Sequence, residues 1–556
     1  MGSADWRLPP PGHGRCCFLG LARGGRRLAV RNFHVRPTRQ TRPIMKKTMT
    51  AQTAERADTP PIISKSTYLV GLQCPKLLWH KVNTPEVFPE VDAATQAIFD
   101  QGAEVGALAK KLYPTGLEIG AGVVERRAVD ELSRAALAER RPLFEAGFVS
   151  GRAFARADVL VPVGRRQWDL VEVKSTTRLK DEHLPDVAVQ RHVYEGAGLS
   201  IRRCSIMHLN PQYVRQGEID PSALFSTTDV TDDVEGQAAE VDDNLKEMAR
   251  VLDQPRPPKV DIGPHCEAPH GCPLVDLCWK AMPKHNVFTL TRVGDKAFAW
   301  LRQGFRRLQD LPRDEPLRGK QAVQMAAIRS GRPHVDGEAL AAFLDRLEYP
   351  LSFLDFETIS PAIPIWDTTR PYQQAPFQFS LHIVSEPDAV PVHHAYLADD
   401  SADPRPQILK RLKGLLGSRG SIIAYNAKFE SQVLRQSTEA YPAYANWWAR
   451  TEPRVVDLFT PFRNFHYYHP DQLGSASLKA VLPALTGRSY EGMEIADGAT
   501  ANLEFVRVTF GDASAAERRR VRAALEKYCA LDTEGMIEIV RKLEEIAANP
   551  RVKGET

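Results

Sequence analysis

Cys74 stands alone, in Cys74-Pro75-Lys76-Leu77-Leu78-Trp79, and three more cysteines follow almost two hundred residues later as Cys266, Cys272 and Cys278, spaced C-x5-C-x5-C. Four thiols form a ligand set for tetrahedral zinc or for an iron–sulfur cluster. If one centre holds all four, the chain must come back at residue 266 to where it stood at residue 74. Everything between then closes into one unit, and no other feature of the sequence restricts the fold so strongly. Zinc sites more often pair two short C-x2-C elements, which are absent here. His265 and His270 flank the run and offer replacement ligands. Cys204 lies in an apolar stretch and reads as a core residue. The chain has eight cysteines and no secretory signal, which points to a reducing compartment where grouped cysteines serve metals rather than disulfides.

A chain of 556 residues exceeds what one core supports, so two or three domains are expected. No apolar run approaches the ~20 residues that span a bilayer, which argues against a membrane protein. The net charge of +4 is unevenly placed: residues 1–60 carry twelve Lys/Arg against three Asp/Glu, leaving the rest of the chain at −5. Nucleic acid would therefore be held by local grooves and bound metal ions, not by a generally basic surface. Residues 1–60 resemble a transit peptide in composition, and Met45 and Met49 offer an alternative start. Disorder is expected there, with no role for Cys16 and Cys17.

The pattern divides into a first domain over 61–285, a helical connector over 286–346, a second domain over 347–548 and a tail over 549–556. In the first, residues 93–112 read as a helix. Phe144–Val149, Ala157–Val163 and Trp168–Lys174 read as a strand meander, followed by a helix over 186–197 and a strand over Cys204–Leu209. The acidic stretch 229–252 reads as a solvated helix. In the second domain, Leu351–Glu357 is a buried strand with Phe377–Val384 as its antiparallel neighbour. Ser421–Tyr425 is another strand, and helices are expected over 428–437 and 514–546.

Two constellations carry chemistry. In the first domain, Asp158 precedes Glu172-Val173-Lys174, whose Glu172 and Lys174 share a strand face. Converging carboxylates hold Mg²⁺ or Mn²⁺, and a lysine beside them stabilises developing charge. Gln190 and Tyr194 lie i,i+4 on the next helix and share a face toward the same place. An E-x-K triplet alone is ordinarily a solvated pair; the ordered set inside a cysteine frame is far more specific.

That set resembles the PD-(D/E)XK nucleases, in the RecB-like branch that includes the AddB nuclease domain and the CRISPR-adaptation nucleases, over roughly residues 65–282. The resemblance implies a restriction-endonuclease-like fold, with Asp158 and Glu172 as metal ligands, Lys174 as catalytic lysine, and Gln190 and Tyr194 as accessory residues. It also implies a 4Fe–4S cluster on Cys74, Cys266, Cys272 and Cys278, with zinc as the alternative. The chain departs from the branch in having no histidine on the first helix, where Glu104 is the substitute on offer, and in the wider spacing of its late cysteines.

In the second domain, Asp355 and Glu357 share the face of an apolar strand, Asn426-Ala427-Lys428-Phe429-Glu430 follows another strand, and Tyr528 and Asp532 share a helix face. Four acids so gathered suit a two-metal phosphodiester site, with Tyr528 orienting the water. Asp457 reads equally as a further acid or a helix N-cap. Phe377, Phe379 and the aromatics over Phe462–Tyr468 are candidates for stacking on unpaired bases. Arg463, Lys479 and Arg488 are candidates for phosphate contacts. The ordered set resembles the tyrosine-bearing DEDD exonucleases of the RNase H-like fold, over roughly 347–545, with Glu430 where the family has Asp. This implies 3′–5′ removal of nucleotides, with Asp355, Glu357, Glu430 and Asp532 as metal ligands.

The whole order resembles a bacterial family of fused nucleases. The expectation is an α/β protein of the bacterial cytoplasm, a Mg- or Mn-dependent hydrolase with two catalytic modules acting on DNA (or RNA) ends or single strands. The alternative is a nucleic-acid-binding or scaffold protein in which one or both sites are degenerate.

Overall fold

The computed structural model describes residues 60–549 except Ala281. The leader, with Cys16, Cys17, Met45 and Met49, lies outside the described residues, as does nearly all of the tail. The described chain is mixed α/β, organised on two mixed sheets.

The first sheet contains β1 (Ile63–Ser64), β2 (Leu117–Glu118), β3 (Leu143–Ser150), β4 (Ala153–Val163), β5 (Gln167–Lys174), β6 (Ser200–Leu209) and β7 (Phe225–Asp229). Strands β3, β4 and β5 form the expected antiparallel meander. Strand β6 runs parallel to β5, which requires a crossover; the helix α5 over Leu184–Gly196 supplies it. Alternation along β5 sends Trp168 and Leu170 to the core beneath α5, and Val171 and Val173 to a second core on the opposite face. The acidic stretch is two helices, Thr231–Gly236 and Ala238–Leu252, and is not simply solvated: Val234, Val241, Met248, Val251 and Leu252 are buried against α5's core. An acidic face hides this apolar stripe in a composition count.

The connector is woven into the second half. It has a small core of its own around Trp300, Leu308 and Met325. Its strand β8 (His334–Val335) pairs with β14 (Tyr467–Tyr468), more than a hundred residues later. The second sheet is ordered β11-β10-β9-β12-β13, with β9 over Leu351–Ile359, β10 over Ala375–Val384, β11 over Val392–Leu397, β12 over Ile422–Ala424 and β13 over Val455–Asp457. The first three strands are antiparallel; β12 is parallel to β9, and β13 to β12. Phe353 and Ile359 pack under the long helix Ala515–Ala548, while Leu354 and Phe356 face a separate core on the other side. Asp355 and Glu357 thus fall on the long helix's side.

The segment between β9 and β10 straps the two halves together. Arg215 of the first half exchanges backbone hydrogen bonds with Thr368 and Thr369 of the strap, and its guanidinium donates to the carbonyls of Pro364 and Ile365 at 2.9 and 2.5 Å. From the other side the fully buried Arg405 donates to the Asp367 carbonyl at 2.7 Å. Ala362, Ile363 and Tyr372 pack into the first half's second core, and the Tyr372 hydroxyl donates to the carbonyl of Ser175, the residue after Lys174.

Candidate functional site

The first constellation forms beneath α5. The β4–β5 ladder ends at Val159 opposite Val171, which leaves Asp158 and Glu172 next along the two strands, and the Asp158 carboxylate accepts the Val173 N–H at 2.7 Å. Glu172 is buried. Its Oε1 accepts from Lys174 Nζ at 2.7 Å and Lys65 Nζ at 2.8 Å, and its Oε2 from Gln190 Nε2 at 2.8 Å. Asp186 completes the group: it pairs with Lys174, with Lys65 Nζ at 3.2 Å, and takes a further bond from Gln190 at 3.2 Å. Lys65 and Asp186 escaped the sequence reading. Asp186 carried a signal, since Asp186, Gln190 and Tyr194 recur every four residues and so share one helix face. Lys65 carried none; it reaches the site because Ser64 caps the helix Lys65–Gln73 at the edge of β1.

Tyr194 does not join this network. It is fully buried, donates to the Ala146 carbonyl and accepts the Ala157 N–H at 2.8 Å, tying β3 to β4 beside the Phe148 ring. Its hydroxyl is spent on two strands, so its role is positional. Burial and the neighbouring Glu172 charge push Asp158 up to about 8, against the opposing pull of Lys65. Burial also works to raise Glu172, but the ammonium groups of Lys174 and Lys65 outweigh it and hold the carboxyl below its ordinary range. Glu104 sits on the helix Ala93–Lys110; burial, helped by Asp100, lifts it to about 7.

The four cysteines of the frame converge. Cys74 ends one helix and begins the next, with Pro75 at the first turn. Cys266 closes a short turn, the Cys272 N–H donates to the Cys266 carbonyl at 2.9 Å, and Cys278 lies on the short helix Val275–Trp279. Gln73 Nε2 stitches the two regions by donating to the carbonyls of His265 and His270 at 2.9 and 2.6 Å. Burial raises the thiols of Cys266 and Cys272, and Cys74 and Cys278 are close enough to raise both further. Lys76 Nζ lies 3.3 Å from Cys278 Sγ. Cys74 and Cys266 are buried, Cys272 and Cys278 are half-buried, and Lys76 stands beside them, a donor set whose chemistry suits a thiolate-held metal centre. Cys204 is a core residue, as expected.

The second constellation forms where β9 meets the long helix. Glu357 and Asp532 are each 7 % exposed and Tyr528 is 4 % exposed. The Tyr490 hydroxyl donates to Asp532 Oδ1, and Cys529 Sγ donates to Asp355 Oδ2 at 3.7 Å. No hydrogen bond reaches the Glu357 carboxylate among the described residues, and the Gly498 backbone comes so near that a Cβ there would stand 3.6 Å from Glu357 Oε2. Burial and mutual repulsion push Asp355 and Glu357 well above the carboxylate range. Burial raises Asp532 to about 6 against the Tyr490 hydrogen bond and Lys479. Lys479 Nζ stands over the Tyr490 and Tyr528 rings at 5.5 and 5.4 Å and donates to the Ala496 carbonyl at 2.7 Å. Carboxylates held this way favour a divalent cation among them, so the donor set fits one.

Glu430 is buried on the first turn of the helix Ala427–Ala440. Asp457 acts as a cap: its Oδ1 accepts the N–H groups of Asn426, Ala427 and Phe459 at 3.1, 3.2 and 3.1 Å. The aromatics that were candidates for stacking on bases are core residues, the usual place for rings on such strands. Phe377 lies flat on Phe505 at 3.9 Å, Phe379 is fully buried, and Phe462, Phe465, Tyr467 and Tyr468 fill the interior. A strand buried on both faces leaves its aromatics no open surface. Arg488 is taken by Glu534 and Glu538, and Arg463 approaches Asp457 at 3.9 Å.

A family model described as a domain of unknown function (DUF2779) matches residues 352–477, which include Asp355, Glu357 and Glu430 but stop short of Tyr528 and Asp532. None of the curated proteins matches the chain.

Proposed function

We propose that the protein is a metal-dependent nuclease with two modules, the second a 3′–5′ exonuclease of RNase H-like fold. The observation that carries this is the convergence of Asp355, Glu357 and Asp532 beside Tyr528, with no ion pair to any of the three among the described residues. Three acids gathered so closely, two of them buried, are costly to ionise unless a cation joins them. Asp355, Glu357, Asp532 and Glu430 would hold divalent ions, which when bound supply the Lewis acidity that activates water and stabilises the departing oxygen. The strand order and the helix after β12 support the RNase H-like reading. Burial and the neighbouring acids push the Tyr528 phenol upward, so it stays a neutral donor that orients a water. Lys479, exposed at the rim, is placed to meet a phosphate.

The first half supports a PD-(D/E)XK reading through its meander, its crossover helix and the Asp158, Glu172, Lys174, Gln190 group. Lys65 favours a second reading for this half. Its ammonium already neutralises Glu172 and Asp186, which suits a module that grips nucleic acid more than one that cuts. Purified protein with Mg²⁺ or Mn²⁺ should shorten labelled single-stranded DNA or RNA. Activity lost only in the double variant Glu172→Gln, Asp355→Asn means two cutting sites; activity lost with Asp355→Asn alone means the first module grips. No hydrolysis with either metal and any nucleic acid overturns the proposal.

The cysteine tetrad would hold a 4Fe–4S cluster that staples the start of the first half to its end. An anaerobic brown preparation with about four irons per chain is expected, and a colourless one with stoichiometric zinc sinks this part.

A further inference from the structure

We propose that Cys529 is a sulfur ligand of the divalent ion at Asp355 and Glu357, and that it tilts the site from Mg²⁺ toward softer ions such as Mn²⁺, Co²⁺ and Zn²⁺. The inference rests on reading that site as the exonuclease's metal centre.

A carboxylate oxygen from each of Asp355 and Glu357 and the Cys529 sulfur all lie within 4.8 Å of one another. Cys529 is fully buried, so it is not an incidental surface thiol. It reaches the site because it stands three residues before Asp532 on the long helix, and i,i+3 positions are neighbours on a helix surface. Asp532 has a partner in Tyr490, whereas Glu357 is 7 % exposed and its carboxylate takes no hydrogen bond among the described residues. The group offers two hard oxygens and one soft sulfur to a single cation.

Softness decides which cation benefits. Mg²⁺ takes oxygen donors almost exclusively, while thiolates favour later and softer metals. On binding, the S–H bond breaks, an S–metal bond forms, and the proton leaves to the buffer. The contact between Cys529 and Asp355 is exchanged for one through the metal.

The test is Co²⁺ titration of full-length protein, read by the sulfur-to-cobalt charge-transfer band in the near ultraviolet and by calorimetry. Wild type, Cys529→Ser, Cys529→Ala, Asp355→Ala and a Cys204→Ser control are compared, so that any signal from the four-cysteine group is common to all and subtracts. A band component is expected that vanishes in both Cys529 variants and in Asp355→Ala but survives in Cys204→Ser. Co²⁺ affinity should fall at least about tenfold in the Cys529 variants, the smallest loss usual even for outer-shell partners of a metal, with Mg²⁺ affinity little changed. Co²⁺ binding that depends on Asp355 but has the same band and affinity in both Cys529 variants overturns the inference and leaves the exonuclease reading standing. Absence of any Asp355-dependent binding of Co²⁺, Mn²⁺ or Mg²⁺ removes the metal site itself, and both fall.

Discussion

The two carboxylate groups use similar residues under opposite charge balance. In the first, Asp158, Glu172 and Asp186 face two ammonium groups, Lys65 and Lys174, and nearly every polar atom is spoken for. In the second, Asp355, Glu357 and Asp532 have no ammonium in bonding range among the described residues; Lys479 acts from above the tyrosine rings and is bonded to a carbonyl. In one group the protein's own lysines pair with Glu172 and Asp186, while Asp158 is held up by burial; in the other burial holds up all three carboxyls, and repulsion among them adds to it at Asp355 and Glu357. Counting acids does not distinguish a structural ion network from a cation site; the lysines do.

The largest expected effect breaks the second group. Asp355→Ala or Asp532→Ala should lower metal-dependent nucleotide release on the order of 10³-fold, measured as initial rate on labelled single strands. A loss below about tenfold would mean the hydrolysis belongs elsewhere.

Glu172→Ala sharpens the contrast in stability. It strips two lysines of a shared partner and should cost about 3 kcal/mol in chemical denaturation, as removal of one member of a buried pair does. Asp355→Asn should leave the metal-free protein as stable as before or more so, because it relieves repulsion. Equal destabilisation by both changes would erase the distinction.

Acidity supplies a third probe. The Asp532 carboxyl is raised from the ordinary ~3.9 to about 6 in the folded chain. The folded state therefore keeps a proton that the unfolded state releases, and metal-free stability falls as pH climbs from about 4 through 6. It falls further above that as Asp355 and Glu357 are forced to ionise. Saturating Mn²⁺ should cancel this penalty, so its rise in Tm should be greater at pH 8 than at pH 5. The reverse order would count against a cation among these acids. The smallest effect is expected from Tyr372→Phe, which loses the bond to the Ser175 carbonyl and should cost about 1 kcal/mol.

Much of this was legible in the sequence where side-chain period and chain spacing do the work. The meander, the crossover helix and the buried strand at Leu351 follow from alternation and apolar runs, and the strands of both carboxylate sites lie where that pattern places them. What was not legible depends on long-range contact. Lys65 enters its site across more than a hundred residues, and Tyr490 reaches Asp532 across forty-two; neither has a local pattern. Strand β13 has three residues, too few to show a period, and β11, six residues long, is exposed or half-exposed along all but its last residue and so lacks an alternating apolar face. The aromatics of β10 left two readings open, base stacking or core, and only packing decides between them: Phe377 and Phe379 are buried.

The strap over residues 360–374 bears on how the molecule can be taken apart. A boundary drawn at residue 346 divides the chain at a natural gap in its motifs but not in its packing. A rear fragment cut there would carry Ala362 and Ile363 with their apolar cover gone, and a front fragment would carry Arg215 with its carbonyls missing. Dissection by point substitution preserves both halves; dissection by truncation removes a wall of each.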